Sequence, residues 1–333
     1  MRIAVLGGGS WGTALTILLS SNRKAHTISL WVHDPRLAES MRRERVNAAY
    51  LAGFEIPRGA QITVNAAEAL DGAQVIFGAM PAAHARNVYA MVLPHVRGDA
   101  TFVSATKGLE PKTHQRMSEI ITQCFSPKFS PRIAVLSGPS FAAEVARGDP
   151  TAVVLASHDQ ELARELQKEI AGQTFRLYTN DDVLGVELAG AMKNVIAIAA
   201  GACHGIGLGS NSLAALITRG LAEMTRLAVK LGAKPETLGG LAGLGDLVLT
   251  CTGSLSRNRY VGVELGKGRP LAEILAGMRM VAEGVGTTDA LVDLARAANV
   301  EMPITGQVQA ILRAERSARD AIRAIMERPL KPE

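Results

Sequence analysis

Lys193 stands inside the apolar stretch Gly190-Ala191-Met192-Lys193-Asn194-Val195-Ile196. A lysine is rarely buried without a partner, and burial draws its pKa toward neutrality, where an amine can both give and take a proton. The alternative is a lysine whose stem lies along the helix while its ammonium reaches water. Asp246, in Gly243-Leu244-Gly245-Asp246-Leu247, is the candidate carboxylate partner or a substrate ligand; otherwise it caps a helix after a glycine turn. Thr252-Gly253-Ser254-Leu255-Ser256-Arg257-Asn258-Arg259 reads as a loop entering a helix with Ser256 as cap. Its free amides, hydroxyls and guanidinium fork suit a phosphate, and a capped surface helix is the bland alternative. Val281-Ala282-Glu283-Gly284 reads as a turn between helices.

Gly7-Gly8-Gly9-Ser10-Trp11-Gly12 follows an apolar run and opens a helical pattern, the setting a dinucleotide fingerprint requires. Gly7 would make the tight turn, Gly9 would admit a pyrophosphate to the backbone, and Gly12 would let helix pack on strand. The amides of Ser10 and Trp11 would face the anion; a purely structural glycine turn is the alternative. The second apolar run ends in Trp31-Val32-His33-Asp34-Pro35-Arg36, where the adenosine ribose is read. Asp34 would favour the ribose hydroxyls of NAD or, before Pro35, cap a helix. His33 and Arg36 would welcome the extra phosphate of NADP, so the cofactor is NAD or NADP. Ala105-Thr106-Lys107-Gly108-Leu109-Glu110 lies just past another predicted strand, where open α/β sheets hold ligands. Lys107 is there either a ligand contact or a solvated loop lysine. Ser137-Gly138-Pro139-Ser140-Phe141-Ala142 repeats the arrangement, with Ser140 a predicted helix cap.

The elements that must position these residues are legible as alternating patterns. Residues 2–6, 27–32, 74–79, 101–105, 132–136 and 151–156 are short apolar runs rich in β-branched residues, as in strands buried on both faces. Helical patterns cover 10–21, 35–45, 83–92, 113–124 and 159–171. The alternation predicts a parallel, doubly wound sheet. After 175–179 the pattern turns almost wholly helical, which places a domain boundary near 180. The 333 residues themselves predict roughly two domains.

Composition narrows the function classes. Apolar residues at 47% and charged residues at 20% exclude a disordered or collagen-like chain. Thirty-six Lys and Arg against 31 Asp and Glu leave +5, too thin a surplus for nucleic acid without a clustered patch. Arg42, Arg43 and Arg45, and Arg313, Arg316, Arg319 and Arg323, are expected to be solvated helix faces. The three widely spaced cysteines suggest neither a disulfide framework nor a metal site and suit a reducing cytoplasm. The N-terminus is not read as an export signal. The longest apolar stretch, 194–204, falls short of the ~20 residues that span a bilayer, so no integral membrane segment is expected.

Six motifs then resemble, in order, those of the bacterial NAD(P)-dependent sn-glycerol-3-phosphate dehydrogenases: GGGSWGTAL at 7–15, ATKGLE at 105–110, SGPSFAAE at 137–144, AMKNVIAIAAG at 191–201, LAGLGDLVLTCT at 241–252 and SRNRYVG at 256–262. Met80-Pro81-Ala82 departs from the Pro-Ser pair the family often carries there. The resemblance implies a Rossmann-like α/β domain over 1–180 and an all-α domain over 181–333 like the C-terminal domain of 6-phosphogluconate dehydrogenase. It implies reversible reduction of dihydroxyacetone phosphate to sn-glycerol 3-phosphate for phospholipid synthesis. Ser10, Trp11, His33 and the backbone at Ala142 would bind cofactor, and Lys107 would touch cofactor and substrate. Gly138 and Ser140 would hold substrate, and Lys193 would be the proton donor and acceptor. Asp246, Ser256, Arg257 and Asn258 would bind substrate and its phosphate, with Arg257, Val281 and Glu283 reaching the cofactor. No metal is implied. A homodimer is expected from the large apolar helical half. Another β-hydroxyacid-type dehydrogenase and a non-catalytic NAD(P)-sensing protein are the alternatives.

Overall fold

Continuous apolar runs become strands because both faces of the resulting sheet are covered. In the computed structural model, which describes residues 1–330, the strands are β1 (Arg2–Leu6), β2 (Thr27–Trp31), β3 (Val46–Asn47), β4 (Leu51–Glu55), β5 (Gln61–Thr63), β6 (Val75–Gly78), β7 (Thr101–Ser104), β8 (Arg132–Ser137), β9 (Thr151–Ala156) and β10 (Phe175–Asn180). Eight of them form one sheet in the order β10-β9-β8-β7-β6-β1-β2-β5. Ile3 and Val5 point into one core with Leu30, Val103 and Leu136, while Ala4 and Leu6 point into the other with Phe102, Tyr89 and Phe125. Helices α1 (Ser10–Ser20), α2 (Pro35–Glu44), α3 (Ala66–Leu70), α4 (Ala82–Val92), α5 (Met117–Phe125), α6 (Ala142–Arg147) and α7 (Gln160–Ile170) accompany the strands.

The sheet is not wholly parallel. β8 and β9 pair antiparallel, with Leu136 opposite Leu155, while the other neighbours run parallel. The short α6 connects β8 and β9 in place of a full crossover helix. The helix expected over 113–124 begins only at Met117, and His114 before it has φ +59°. Arg45 is no surface residue of α2. It ends that helix in the left-handed conformation, and its guanidinium donates to the carbonyls of Ile56, Pro57 and Ala60. The other expected surface arginines, Arg42, Arg43, Arg313, Arg316, Arg319 and Arg323, are exposed.

The chain forms two compact units, one of Met1–Glu110 with Gln115–Glu187, the other of Pro111–His114 with the chain from Leu188 onward. The second is helical: most of α8 (Val183–Gly205), then α9 (Ser210–Lys230), α10 (Pro235–Gly239), a π-helical turn at Leu241–Gly245, α11 (Asp246–Thr252), α12 (Arg257–Gly266), α13 (Leu271–Ala276), α14 (Glu283–Ala297), α15 (Pro303–Leu312) and α16 (Ala318–Met326). With 23 residues, α8 is by length and composition able to cross a membrane, contrary to the short stretch expected. The apolar helix simply continues past its few polar residues, and 94% of its most apolar window is buried in the protein, as in a core helix.

Glycines set the spacing of α8 and α12. A Cβ on Gly201 would fall on the Arg259 carbonyl oxygen and one on Gly205 on that of Val263; one on Gly262 would fall on the Ile198 oxygen and one on Gly266 on that of Ala202. The two backbones therefore touch, which brings Asn258 within 2.8 Å of Asn194. Gly262→Ala would gain about 1 kcal/mol in an open helix. Here it is expected to lose about 1–3 kcal/mol because the helices must separate. Urea unfolding measures this, and an unchanged midpoint would show that the contact is slack.

Candidate active site

In the first unit the fingerprint loop is held by its own backbone. Gly7 has φ +125°, and its N–H donates to the Trp31 carbonyl at 3.1 Å. A Cβ on Gly12 would land on the Gly7 carbonyl oxygen, so the first turn of α1 sits directly on the loop. Gly9, the residue before α1, has nothing within 4 Å of a Cβ position, and no side chain caps the helix. The indole Nε1 of Trp11 is buried without a hydrogen-bond partner among the described residues. Open first-turn amides and an unused buried donor fit the pyrophosphate of a dinucleotide. At the end of β2, Asp34 is committed as the cap of α2, its Oδ1 accepting from the amides of Arg36 (2.8 Å) and Leu37 (3.4 Å). His33 and Arg36 are exposed beside it.

Beyond β7 and β8, Lys107 Nζ donates to the Gly138 carbonyl at 2.7 Å and to Ser140 Oγ at 3.2 Å. The Ser140 hydroxyl donates to the same carbonyl at 2.9 Å. Ser140 is therefore not the cap of α6; Phe141 occupies that position without a side-chain bond, and Ala142 opens the helix. Gly138, at φ +128°, packs so closely on Val153 that a Cβ would come within 3.1 Å of its Cα.

In the second unit, Lys193 (6% exposed) donates from Nζ to Asp246 Oδ1 at 2.6 Å and to Thr250 Oγ1 at 2.8 Å. Asp246, 1% exposed, is the first residue of α11 rather than its cap. Burial pushes the nearby Cys251 thiol up to about 12, so it stays protonated beside the ammonium. Ser256 caps α12 by accepting from the Arg259 amide at 3.2 Å. Asn258 is partly spent within the unit: its Nδ2 donates to Asn194, and its Oδ1 accepts from the Gly284 amide at 2.9 Å, at the start of α14. Arg257 makes no hydrogen bond among the described residues. Burial lowers its pKa, and the Glu283 carboxylate pulls against that shift. Val281 is exposed next to Glu283.

Two family models cover nearly the whole chain: the NAD-dependent glycerol-3-phosphate dehydrogenase N-terminus at residues 2–163 and its C-terminus at 182–323. The chain belongs to this family. Among its relatives, a glycerol-3-phosphate dehydrogenase [NAD(P)+] of Koribacter versatilis is 55% identical, with 98% of this chain and 97% of that one covered. Another, of Acidobacterium capsulatum, is 52% identical over 100% and 99%. The crystal structure of glycerol-3-phosphate dehydrogenase from Coxiella burnetii superposes with a TM-score of 0.93 at 41% identity, covering 98% and 99%. The α/β dinucleotide-binding unit and the all-helical unit are those of the family.

Two residues of this glycerol-3-phosphate dehydrogenase family member were not singled out in the sequence. Thr250 lies within the motif at 241–252, one helical turn after Asp246, a spacing that could have flagged it. Asn47, wholly buried, donates from Nδ2 to the Gly8 carbonyl (2.9 Å) and to Thr13 Oγ1 (2.8 Å), and no local pattern announces it.

Proposed function

We propose that the chain catalyses the reversible reduction of dihydroxyacetone phosphate to sn-glycerol 3-phosphate with NADH or NADPH. The observation that carries the chemistry is Lys193, a buried amine that donates to the Asp246 carboxylate and to the Thr250 hydroxyl. In the first unit, the fingerprint from Gly7 to Gly12, with Ser10 and Trp11, holds the dinucleotide, His33 meets its adenosine end, and the backbone at Ala142 approaches it. Lys107, Gly138 and Ser140 supply donors and backbone to the substrate. In the second unit, Arg257 and Ser256 hold the phosphate, Asn258 joins them with its remaining capacity, and Val281 and Glu283 border the cofactor.

When bound, the reduced nicotinamide supplies a hydride to C2 of the substrate. Negative charge develops on the C2 oxygen, and Lys193 donates a proton to it. Asp246 and Thr250 keep the Lys193 ammonium aimed and charged until that moment, and in the reverse direction the amine accepts the hydroxyl proton. The reading includes a homodimer, tested by sedimentation velocity, and cytoplasmic residence, tested by cell fractionation.

The deciding assays follow oxidation of NADH and NADPH by dihydroxyacetone phosphate and, in the opposite direction, reduction of NAD+ and NADP+ by 6-phosphogluconate and by hydroxyisobutyrate. Turnover confined to dihydroxyacetone phosphate is expected. Turnover only with the hydroxy acids would favour a β-hydroxyacid dehydrogenase, and binding without any turnover would favour a sensor.

A further inference from the structure

We infer that Asn47 is a positioning residue for the cofactor, acting through the direction of a single peptide unit. The Gly8–Gly9 peptide joins two residues without side chains, so nothing local prevents it from rotating. A Cβ on Gly8 would come within 2.8 Å of Val32 Cγ1, so the loop is crowded on that side. Asn47, at the end of β3, reaches the loop from 39 residues away and donates to the Gly8 carbonyl. Its second amide hydrogen serves Thr13 Oγ1 inside α1, and its Oδ1 accepts from the Tyr50 amide at 3.2 Å. Every polar group of this buried side chain is thereby used, and the amide is locked in one orientation.

The consequence lies across the peptide plane. In a trans peptide the carbonyl oxygen and the following N–H point in opposite directions. Drawing the Gly8 oxygen toward Asn47 turns the Gly9 N–H away from Asn47, and the space around Gly9 is not crowded, since a Cβ there would meet nothing within 4 Å. That N–H has no acceptor among the described residues. Asn47 thus holds one donor of the anion cradle ready before the dinucleotide arrives, which removes an ordering cost from binding. The β3–β4 hairpin, which has no place in the fingerprint, is what carries Asn47 to the loop.

The inference rests on the proposed use of NAD(P)H, and its test reads binding as well as activity. Calorimetric titration with NADPH and NADH is made on the intact protein and on Asn47→Ala, Asn47→Asp and Thr13→Val. Asn47→Asp keeps the shape and the acceptor for Tyr50 but loses the donors, and serves if Asn47→Ala does not fold. Both Asn47 variants are expected to bind NAD(P)H about tenfold more weakly, equivalent to about 1.4 kcal/mol. Their KM for dihydroxyacetone phosphate and their kcat at saturating cofactor should stay within about twofold, the signature of lost cofactor binding alone. Thr13→Val, which removes only the other bond, should leave cofactor affinity nearly unchanged. A folded Asn47 variant with unchanged affinity, or an equal loss in Thr13→Val, would overturn the inference. An intact protein that binds NADPH yet reduces no dihydroxyacetone phosphate would instead overturn the activity and leave the role of Asn47 standing.

Discussion

Replacing Lys193 by alanine is expected to lower turnover by about 10²- to 10⁴-fold, the usual worth of a positioned general acid, while NAD(P)H still binds. The amine makes two of its bonds, to Asp246 and Thr250, inside the helical unit, so its removal leaves a carboxylate 1% exposed without its cation. Breaking such a pair typically costs about 3–5 kcal/mol, and a loss of activity through unfolding must be told apart from a loss of chemistry. Lys193→Arg does this. It retains a cation for Asp246, but a guanidinium does not give up its proton near neutral pH. Single-turnover rates at saturating dihydroxyacetone phosphate should therefore be low in both variants, with near-native circular dichroism in the arginine one. Near-normal turnover in either would remove Lys193 from the proton-transfer role.

Arg257→Ala is expected to raise the KM for dihydroxyacetone phosphate by about 10²-fold, or about 2.7 kcal/mol, with a much smaller change in kcat. A phosphate is bound in the ground state and the transition state alike, so losing its anchor removes binding common to both. The Arg257 guanidinium has its pKa lowered by burial and makes no hydrogen bond among the described residues. Arg257→Lys restores the charge without the planar fork and should recover only part of the affinity. Steady-state kinetics decide the matter: if kcat alone fell, Arg257 would be acting on the reacting centre and not on the phosphate.

The sheet was legible because its central strands are unbroken apolar runs, as in β1, β6 and β7. β5 was not, since three residues on an edge carry too little pattern to stand out from a loop. The hairpin of β3 and β4 was missed for a similar reason: its burial is patchy, and its role lies in what it touches. The reversal of β9 against β8 has no local signal either, because the same apolar alternation serves a strand in both directions.

The candidate site divides along the same line. Gly7, Gly12 and the caps at Asp34 and Ser256 follow from local rules: Gly7 takes a positive φ, Gly12 packs on the Gly7 carbonyl, and both caps accept their amide bonds. Ser140 was misread because capping is a local guess, whereas its hydroxyl answers to Lys107 and the Gly138 carbonyl. By itself the sequence determined which residue types could do chemistry, the alternation of the central apolar strands with helices, and the turns that glycine permits. The tertiary structure settled the partners: it confirmed Asp246, already a candidate, for Lys193 across 53 positions, and supplied Asn194 for Asn258 across 64 and Asn47 for Gly8 across 39. A buried polar group is satisfied by whichever atoms the packing of distant backbone brings within hydrogen-bond reach, and that distance is set by contacts such as Gly201 on Arg259, which no stretch of neighbouring residues encodes.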